Sequence, residues 1–312
     1  MINTIRIFLV LIITLCSLIS STYCAHAEKT AVVIKSQSLS AYNEVVNGFQ
    51  DECIENNIKI KSIYDLNGKM KVGQKIVRKV RMEKPDIVLA IGVLAATVVK
   101  EKIDDIPIVF CMVINHERFY LSAPNITGIS TEIAIKDQLK GFQAVLSPFK
   151  RMGVIYDPSK TGNIVENAEK EVENSGMSLV KYEIDSPKEV SDAMEKLIGK
   201  IDVLWLLPDS SVVTKKSFGL IKSTTLKNRI PLLCTSDAFV KAGALAAVFP
   251  DYNFVGRQAA GLARKILVQS VAGSLGIVNP DHFRLAINTD TAEKLGLEVK
   301  VGQEDLKIKI YP

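Results

Sequence analysis

The chain holds 312 residues, of which 47% are hydrophobic and 23% charged, with 18 Gly, 11 Pro and a formal charge of +5. That balance excludes disordered, collagen-like and disulfide-scaffold classes, and the length favours two domains because single cores stop growing at roughly 250–300 residues. Lys and Arg are scattered among nearly as many acids, so no basic face for phosphate backbones is expected and nucleic acid is not an expected partner.

Residues 1–27 read as a cleaved secretory signal. Arg6 and the free amine supply the positive end, an apolar run covers 7–19, and Ala25-His26-Ala27 is an A-x-A cleavage pattern. A transmembrane helix wants about 20 apolar residues, and this run is shorter. A retained anchor and lipidation at Cys24 are the alternatives; the bulk of Tyr23 opposes the second. The mature protein is thus expected to be soluble and periplasmic. Of five Cys, Cys16 and Cys24 lie in the signal, leaving Cys53, Cys111 and Cys234. An odd number in an oxidising compartment is no disulfide framework, and each sits in an apolar pattern, so buried free thiols are expected. There is no CxxC and no Cys/His spacing for zinc; no metal or cofactor is expected.

Two copies of one pattern organise the rest. The first has strands at 30–35, 58–64, 86–91 and 107–113. Its helices carry Tyr42, Val45, Val46, Phe49 and Cys53 on one face, then Val72, Ile76 and Val80, then residues 94–102. The second has strands at 152–156, 179–184, 202–207 and 231–235, with helices at 162–175, 187–199 and 215–228. A strand at 244–249, a helix at 252–269, a strand near 285–288 and a short helix through Ala292 and Leu295 complete the two lobes. Apolar strands without alternation, separated by amphipathic helices, predict parallel sheets covered on both faces, hence an α/β fold of two similar Rossmann-like lobes.

Catalytic signatures are missing. GxGxxG, the P-loop, HExxH and GxSxG do not occur, SxxK occurs by letters alone, and only His116 and His282 survive maturation. In parallel α/β sheets, ligands sit at the carboxyl ends of the strands, where helix N-termini point free N–H groups outward. The first lobe offers Ser36-Gln37-Ser38, Gly92-Val93-Leu94-Ala95 and Met112 to Asn115 there, neutral and small residues suited to a carboxylate. The second offers Asp157, then Asp209 and Ser210, then Ser236, Asp237 and Phe239, an acidic wall with an aromatic. A small zwitterion fits between them, with its amine on Asp209 or Asp237 and its carboxylate on Ser36, Ser38 and Gly92 to Ala95. Competing structural roles are turn or cap formation for Asp157 and Asp209, a tight turn at Gly92, core packing for Tyr42, Phe239 and Trp205, and a solvated His116.

Several stretches together resemble the ABC-transporter substrate-binding protein family, whose best-known members are tryptophan- and tyrosine-binding receptors of the type I periplasmic-binding fold. They include Tyr42-Asn43-x4-Gly48-Phe49, Asn125-Ile-Thr-Gly128-Ile-Ser, Gly153-Val-Ile-Tyr-Asp-Pro158 and Leu207-Pro-Asp-Ser210. Val240-Lys-Ala-Gly-Ala-Leu245, Gly256-Arg-Gln-Ala-Ala260 and Ala286-Ile-Asn288 extend the match. The family commonly has Pro after the Asn or Asp that ends the fourth strand, whereas here His116 follows Asn115. The resemblance implies three crossings between lobes, near Ser130, Pro250 and His282. Residues 28–130 with about 250–282 would then form one lobe, and 131–249 with about 283–312 the other. It also implies a monomeric, non-enzymatic receptor that closes by hinge motion on a small ligand, an aromatic or branched amino acid, and delivers it to a membrane ABC permease. A ligand-presenting partner of a membrane kinase or chemoreceptor and an exported hydrolase are the alternatives.

Overall fold

The first apolar run becomes strand β1 (Lys29–Lys35), whose Ala31 to Ile34 stretch is wholly buried on both faces. It is followed by α1 (Ser40–Glu55), β2 (Ile58–Asp65), α2 (Met70–Glu83), β3 (Ile87–Ile91), α3 (Val93–Lys102), β4 (Ile108–Val113) and β5 (Ile126–Ser130). The second half runs α4 (Ile135–Val145), β6 (Arg151–Tyr156), α5 (Pro158–Asn174), β7 (Ser178–Glu183), α6 (Val190–Leu197) and β8 (Val203–Leu206). Then come α7 (Lys215–Lys227), β9 (Leu232–Cys234), α8 (Asp237–Lys241), β10 (Ala246–Pro250) and α9 (Tyr252–Val268). The tail holds β11 (Ile277–Val278), β12 (Phe283–Asn288), α10 (Thr289–Leu295) and β13 (Ile308–Tyr311). This computed structural model describes residues 28–146, 148–298 and 307–312; the expected signal segment 1–27 lies outside them.

The strands form two sheets, in orders β11-β5-β4-β3-β1-β2 and β13-β12-β10-β9-β8-β6-β7. Central strands such as β3 and β8 are buried at every position, whereas edge strands β2 and β7 alternate between covered and exposed residues. Helices on both faces demand the first pattern and a half-solvated edge the second. One pair departs from the parallel expectation: β10 and β12 are antiparallel, with Pro250 opposite Phe283. The chain leaves this sheet at the end of β10 and re-enters beside the same point, so β12 has to run backwards.

Three segments pass between the sheets: after Ser130, at Asp251, and between Val278 and Phe283. They lie side by side. The Asp251 amide donates to His282 O at 3.0 Å, Arg284 Nε to Asp251 Oδ2 at 2.6 Å, and Ser130 Oγ to Asn279 Oδ1 at 3.1 Å. From β10 the chain crosses into α9, which lies backbone to backbone on α1. An ideal Cβ on Gly48 would stand 1.9 Å from Asn253 O, and one on Gly256 2.1 Å from Val45 O.

Some elements escape the sequence reading. β5, α4 and β13 were not expected: β5 is five residues with a central glycine, and α4 carries Gly141 within an otherwise helical spacing of Ile135, Leu139, Phe142 and Val145. The expected helix over 187–199 begins instead with a separate 3-10 turn at Pro187–Glu189, capped by Ser186, before α6. Cys53, Cys111 and Cys234 are buried free thiols. Among the described residues, no helix is long and apolar enough to cross a membrane and no three metal-ligating side chains gather.

Candidate functional site

Both sheets reverse their strand order, between β1 and β3 in one and between β6 and β8 in the other. Such switch points are where ligands usually sit. Here both crevices are filled from within. In the first, Ser36 Oγ donates to Ile91 O and accepts from Ala95 N, each at 3.0 Å, so the hydroxyl caps α3 and locks it to β1. Gly92, at φ +88°, faces this plug; a Cβ there would meet the Tyr42 hydroxyl at 2.5 Å and Ser36 Oγ at 2.7 Å. In the second, Asp209 is 1% exposed, and its Oδ2 accepts from Asp157 N at 2.9 Å and Thr161 Oγ1 at 2.7 Å. Its Oδ1 takes Ser211 N at 2.8 Å. Asp157 caps α5 through Ser159 N at 2.9 Å and accepts Ser211 Oγ at 2.6 Å. Burial works against the Asp157 charge, but the Ser159 and Ser211 donors and the Lys160 ammonium outweigh it and hold its carboxyl at about 2.

The open space lies beside these plugs. A cavity of about 980 Å³ runs between the two sheets. On one side stand Leu39 to Tyr42, the start of α1, with Met112 and Ile114 at the end of β4. No side chain caps α1, so its first-turn N–H groups keep their affinity for an anion. Met112 sits at φ +58°, where the β4–β5 pairing slips between Phe110 and Val113. A left-handed, non-glycine residue at such a bulge costs local free energy and re-aims a side chain. Burial pushes the Tyr42 phenol up to about 12, keeping it a neutral hydrogen-bonding group.

The opposite wall is the start of α8 with the tail strand. Ser236 caps α8, Phe239 packs on Phe218 with ring centroids 5.2 Å apart, and Asp237 Oδ2 accepts from Lys309 Nζ at 2.8 Å and Tyr311 OH at 2.9 Å. Lys309 and Tyr311 are two apart on β13, so both point to the same side. The Asp237 carboxylate raises the Lys309 ammonium well above the ordinary lysine range. Burial, with Asp237 adding to it, pushes the Tyr252 phenol up as well. Crossing residues Thr131, Glu132, Tyr252 and Asn279 also line the cavity.

Of the residues named from sequence, Met112, Ser236, Asp237 and Phe239 line this cavity. Asp157 and Asp209 are spent on the internal network, Ser36 and Ala95 on the α3 cap, and Gly92 on the turn. Gln37, Ser38 and Ser210 are exposed and Val93 and Leu94 half-buried, none of them lining the cavity. Trp205 is 1% exposed in the core, its Nε1 donating to Gln138 Oε1 at 3.2 Å. His116, expected in solvent, is half-buried beside Phe110 with no partner for Nδ1. Sequence reading missed the α1 terminus, the crossing residues, and Lys309 and Tyr311. The alternating Ile308-Lys309-Ile310-Tyr311 was the available signal, although only strand pairing shows where it lies.

At one rim the two sides clasp each other. Asn115, left-handed at φ +49°, follows β4, while Asn163 belongs to α5. Their amides bond reciprocally, Asn115 Nδ2 to Asn163 Oδ1 at 2.9 Å and Asn163 Nδ2 to Asn115 Oδ1 at 3.0 Å. Asn115 Nδ2 also donates to Lys160 O at 2.6 Å, and the Asn115 amide donates to Glu132 Oε1 on the crossing. Partly buried hydrogen bonds such as these contribute about 0.5–1.5 kcal/mol each, so Asn163→Ala is expected to speed amide exchange around Asn115 roughly tenfold. Exchange in mid-β4 should not change. Unaltered exchange at Asn115 would mean that the pair holds nothing together.

Comparison with known proteins accords with this architecture. The family description "ABC transporter substrate binding protein" matches residues 29–306. A protein named tyrosine-binding protein, from Clostridioides difficile, is 27% identical over 259 residues, covering 80% of this chain and 74% of that protein. The ligand-free, open structure of a substrate binding protein with adhesive properties from Clostridium difficile superposes with a TM-score of 0.76 at 24% identity, over 91% of this chain and 100% of that one. A Streptococcus pneumonia domain solved in complex with L-Trp gives 0.68 at 18% identity, over 91% and 100%. Those two likenesses establish the fold, two α/β lobes of the type I periplasmic-binding kind. The match over residues 29–306 establishes more: this chain belongs to the ABC transporter substrate-binding protein family, whose members bind solutes and are not enzymes.

Proposed function

We propose that this protein is the exported, monomeric solute receptor of an ABC importer, working in the periplasm and presenting an aromatic or branched amino acid to a membrane permease. The observation that carries the ligand class is the composition of the two cavity walls. The uncapped start of α1 and the Lys309 ammonium offer places for a carboxylate. Asp237 spends only Oδ2 on its two donors, which leaves Oδ1 for an ammonium. Tyr42, Tyr252 and Phe239 supply aromatic surface nearby. The relative named tyrosine-binding and the neighbour holding L-Trp support the same class. The A-x-A pattern at Ala25-His26-Ala27 supports export.

Titration calorimetry of the mature chain with the twenty amino acids tests this. An aromatic or branched member should bind, and Asp237→Ala should weaken it by about tenfold or more, the worth of a charge-assisted hydrogen bond. Thermal stability should fall less than in Asp209→Ala, because the Lys309 ammonium that Asp237 leaves behind is 40% exposed and can be solvated. Failure of every such amino acid to bind, or full affinity in Asp237→Ala, overturns the assignment.

A further inference from the structure

The cavity does not end at the walls just described. It continues as an apolar gallery between α4 and α5, lined by Ile133 and Ile135 on one side, Ile164 and Ala168 on the other, with Trp205 and Val248 of the sheet as its floor. Exposed Lys136, Lys170 and Glu171 stand among the lining residues as a polar rim. All of these residues belong to the lobe built on β6 to β10, so a hinge movement between lobes leaves the gallery intact, whereas it narrows the space between Tyr42 and Phe239. Gly141 fixes the height of α4 over the floor, since a Cβ there would lie 2.6 Å from Val248 Cγ2.

The interlobe space and the gallery together are larger than one free amino acid needs. Ligand sites span about 300–1,000 Å³ and suit molecules that bury most of their surface, and this cavity, at about 980 Å³, stands at the upper end. Its polar anchoring groups, Ser236, Asp237, Lys309 and Tyr311, are gathered at the interlobe part, and its gallery walls are mostly aliphatic. A polar anchor opening on an apolar channel matches an amphipathic ligand, head in the cleft and body in the channel. Leaving such a channel unfilled forfeits dispersion contacts along its walls.

We propose that, beside aromatic and branched amino acids, the site takes amino-acid-headed amphiphiles whose unbranched apolar body is longer than an ordinary side chain and lies in the gallery against Trp205. This rests on the amino-acid reading of the interlobe walls and extends it.

The probes are three α-amino acids with the same head and linear alkyl side chains, norleucine, 2-aminooctanoic acid and 2-aminodecanoic acid, with tyrosine and tryptophan as short-bodied references. Each added methylene that enters the gallery should tighten binding about fourfold until the channel is full. Trp205 is the only tryptophan in the chain, so its emission reports the gallery alone: the longer probes should shift it and tyrosine should not. Ile164→Trp, at a half-buried wall position, and the milder Ala168→Leu should abolish the gain from chain length while leaving norleucine and tyrosine affinity unchanged. Emission in Ile164→Trp is not informative, so that variant is read by calorimetry. A flat affinity across the three chain lengths, with norleucine and tyrosine still bound, overturns the gallery and leaves the receptor reading standing. Absence of binding by every probe, tyrosine and tryptophan included, overturns both.

Discussion

Gly48→Ala is expected to be among the most damaging single substitutions in this protein, although it adds one methyl group. The added Cβ would lie 1.9 Å from Asn253 O and 2.8 Å from Asn253 C, both backbone atoms of α9. No rotamer change relieves a clash with backbone, so α1 and α9 have to separate, and the buried faces of Val45, Phe49, Val255 and Ala259 separate with them. Overpacking typically costs 1–3 kcal/mol, and a backbone clash belongs at or above the top of that range. A fall in Tm of the order of 5–10 °C is expected in a thermal melt. Gly261, also on α9, has open space where its Cβ would go. Gly261→Ala is the matched control and should be neutral or stabilising by up to about 1 kcal/mol, the helix-propensity difference. Equal melting of Gly48→Ala and the parent would refute the close approach of the two helices.

The second large effect is expected at Asp209, and it is one of stability and not of recognition. Its carboxylate holds together the end of β6, the start of α5 and the loop after β8 through Asp157 N, Thr161 Oγ1 and Ser211 N. Asp209→Ala orphans those buried donors, each at about 1–3 kcal/mol, so a loss near 3–4 kcal/mol overall is expected once partial relaxation is allowed. Asp209→Asn keeps the shape and part of the accepting capacity and should fall between. Asp237→Ala provides the contrasting signature, weaker ligand binding with a smaller fall in melting. Wild-type stability in Asp209→Ala, with loss of ligand affinity, would return this residue to the binding site and refute the internal network.

The contrast between the two aspartates shows how far local sequence could go. Asp209 lies between a strand and a helix, Asp237 opens a helix just after a strand, and both carry turn-forming neighbours, so the residues alone leave their roles open. What separates them is what lies opposite. Asp209 meets Thr161 and the Asp157 amide across the switch point, at sequence separations of 48 and 52. Asp237 meets Lys309 and Tyr311, separated by 72 and 74. Ser36 tells the same story: a hydroxyl at the end of the first strand suits a ligand, until Ala95 N arrives from 59 residues away and uses it.

The sequence by itself determined the repeated strand–helix order, the apolar faces, the buried thiols and the family, because hydrophobic periodicity and strand length are properties of short windows. Gly48, Gly92 and Gly256 were also legible as letters, but the reasons for them are contacts with Asn253, Tyr42 and Val45 that only folding creates. Tertiary structure alone decided that the switch-point crevices are plugged, that β12 runs antiparallel, that a tail strand supplies a cation to the cleft, and that α4 and α5 leave a gallery between them. These are facts about which distant segments become neighbours. Desolvation, hydrogen-bond saturation and cavity shape are set by neighbours, and a chain read in order does not contain them.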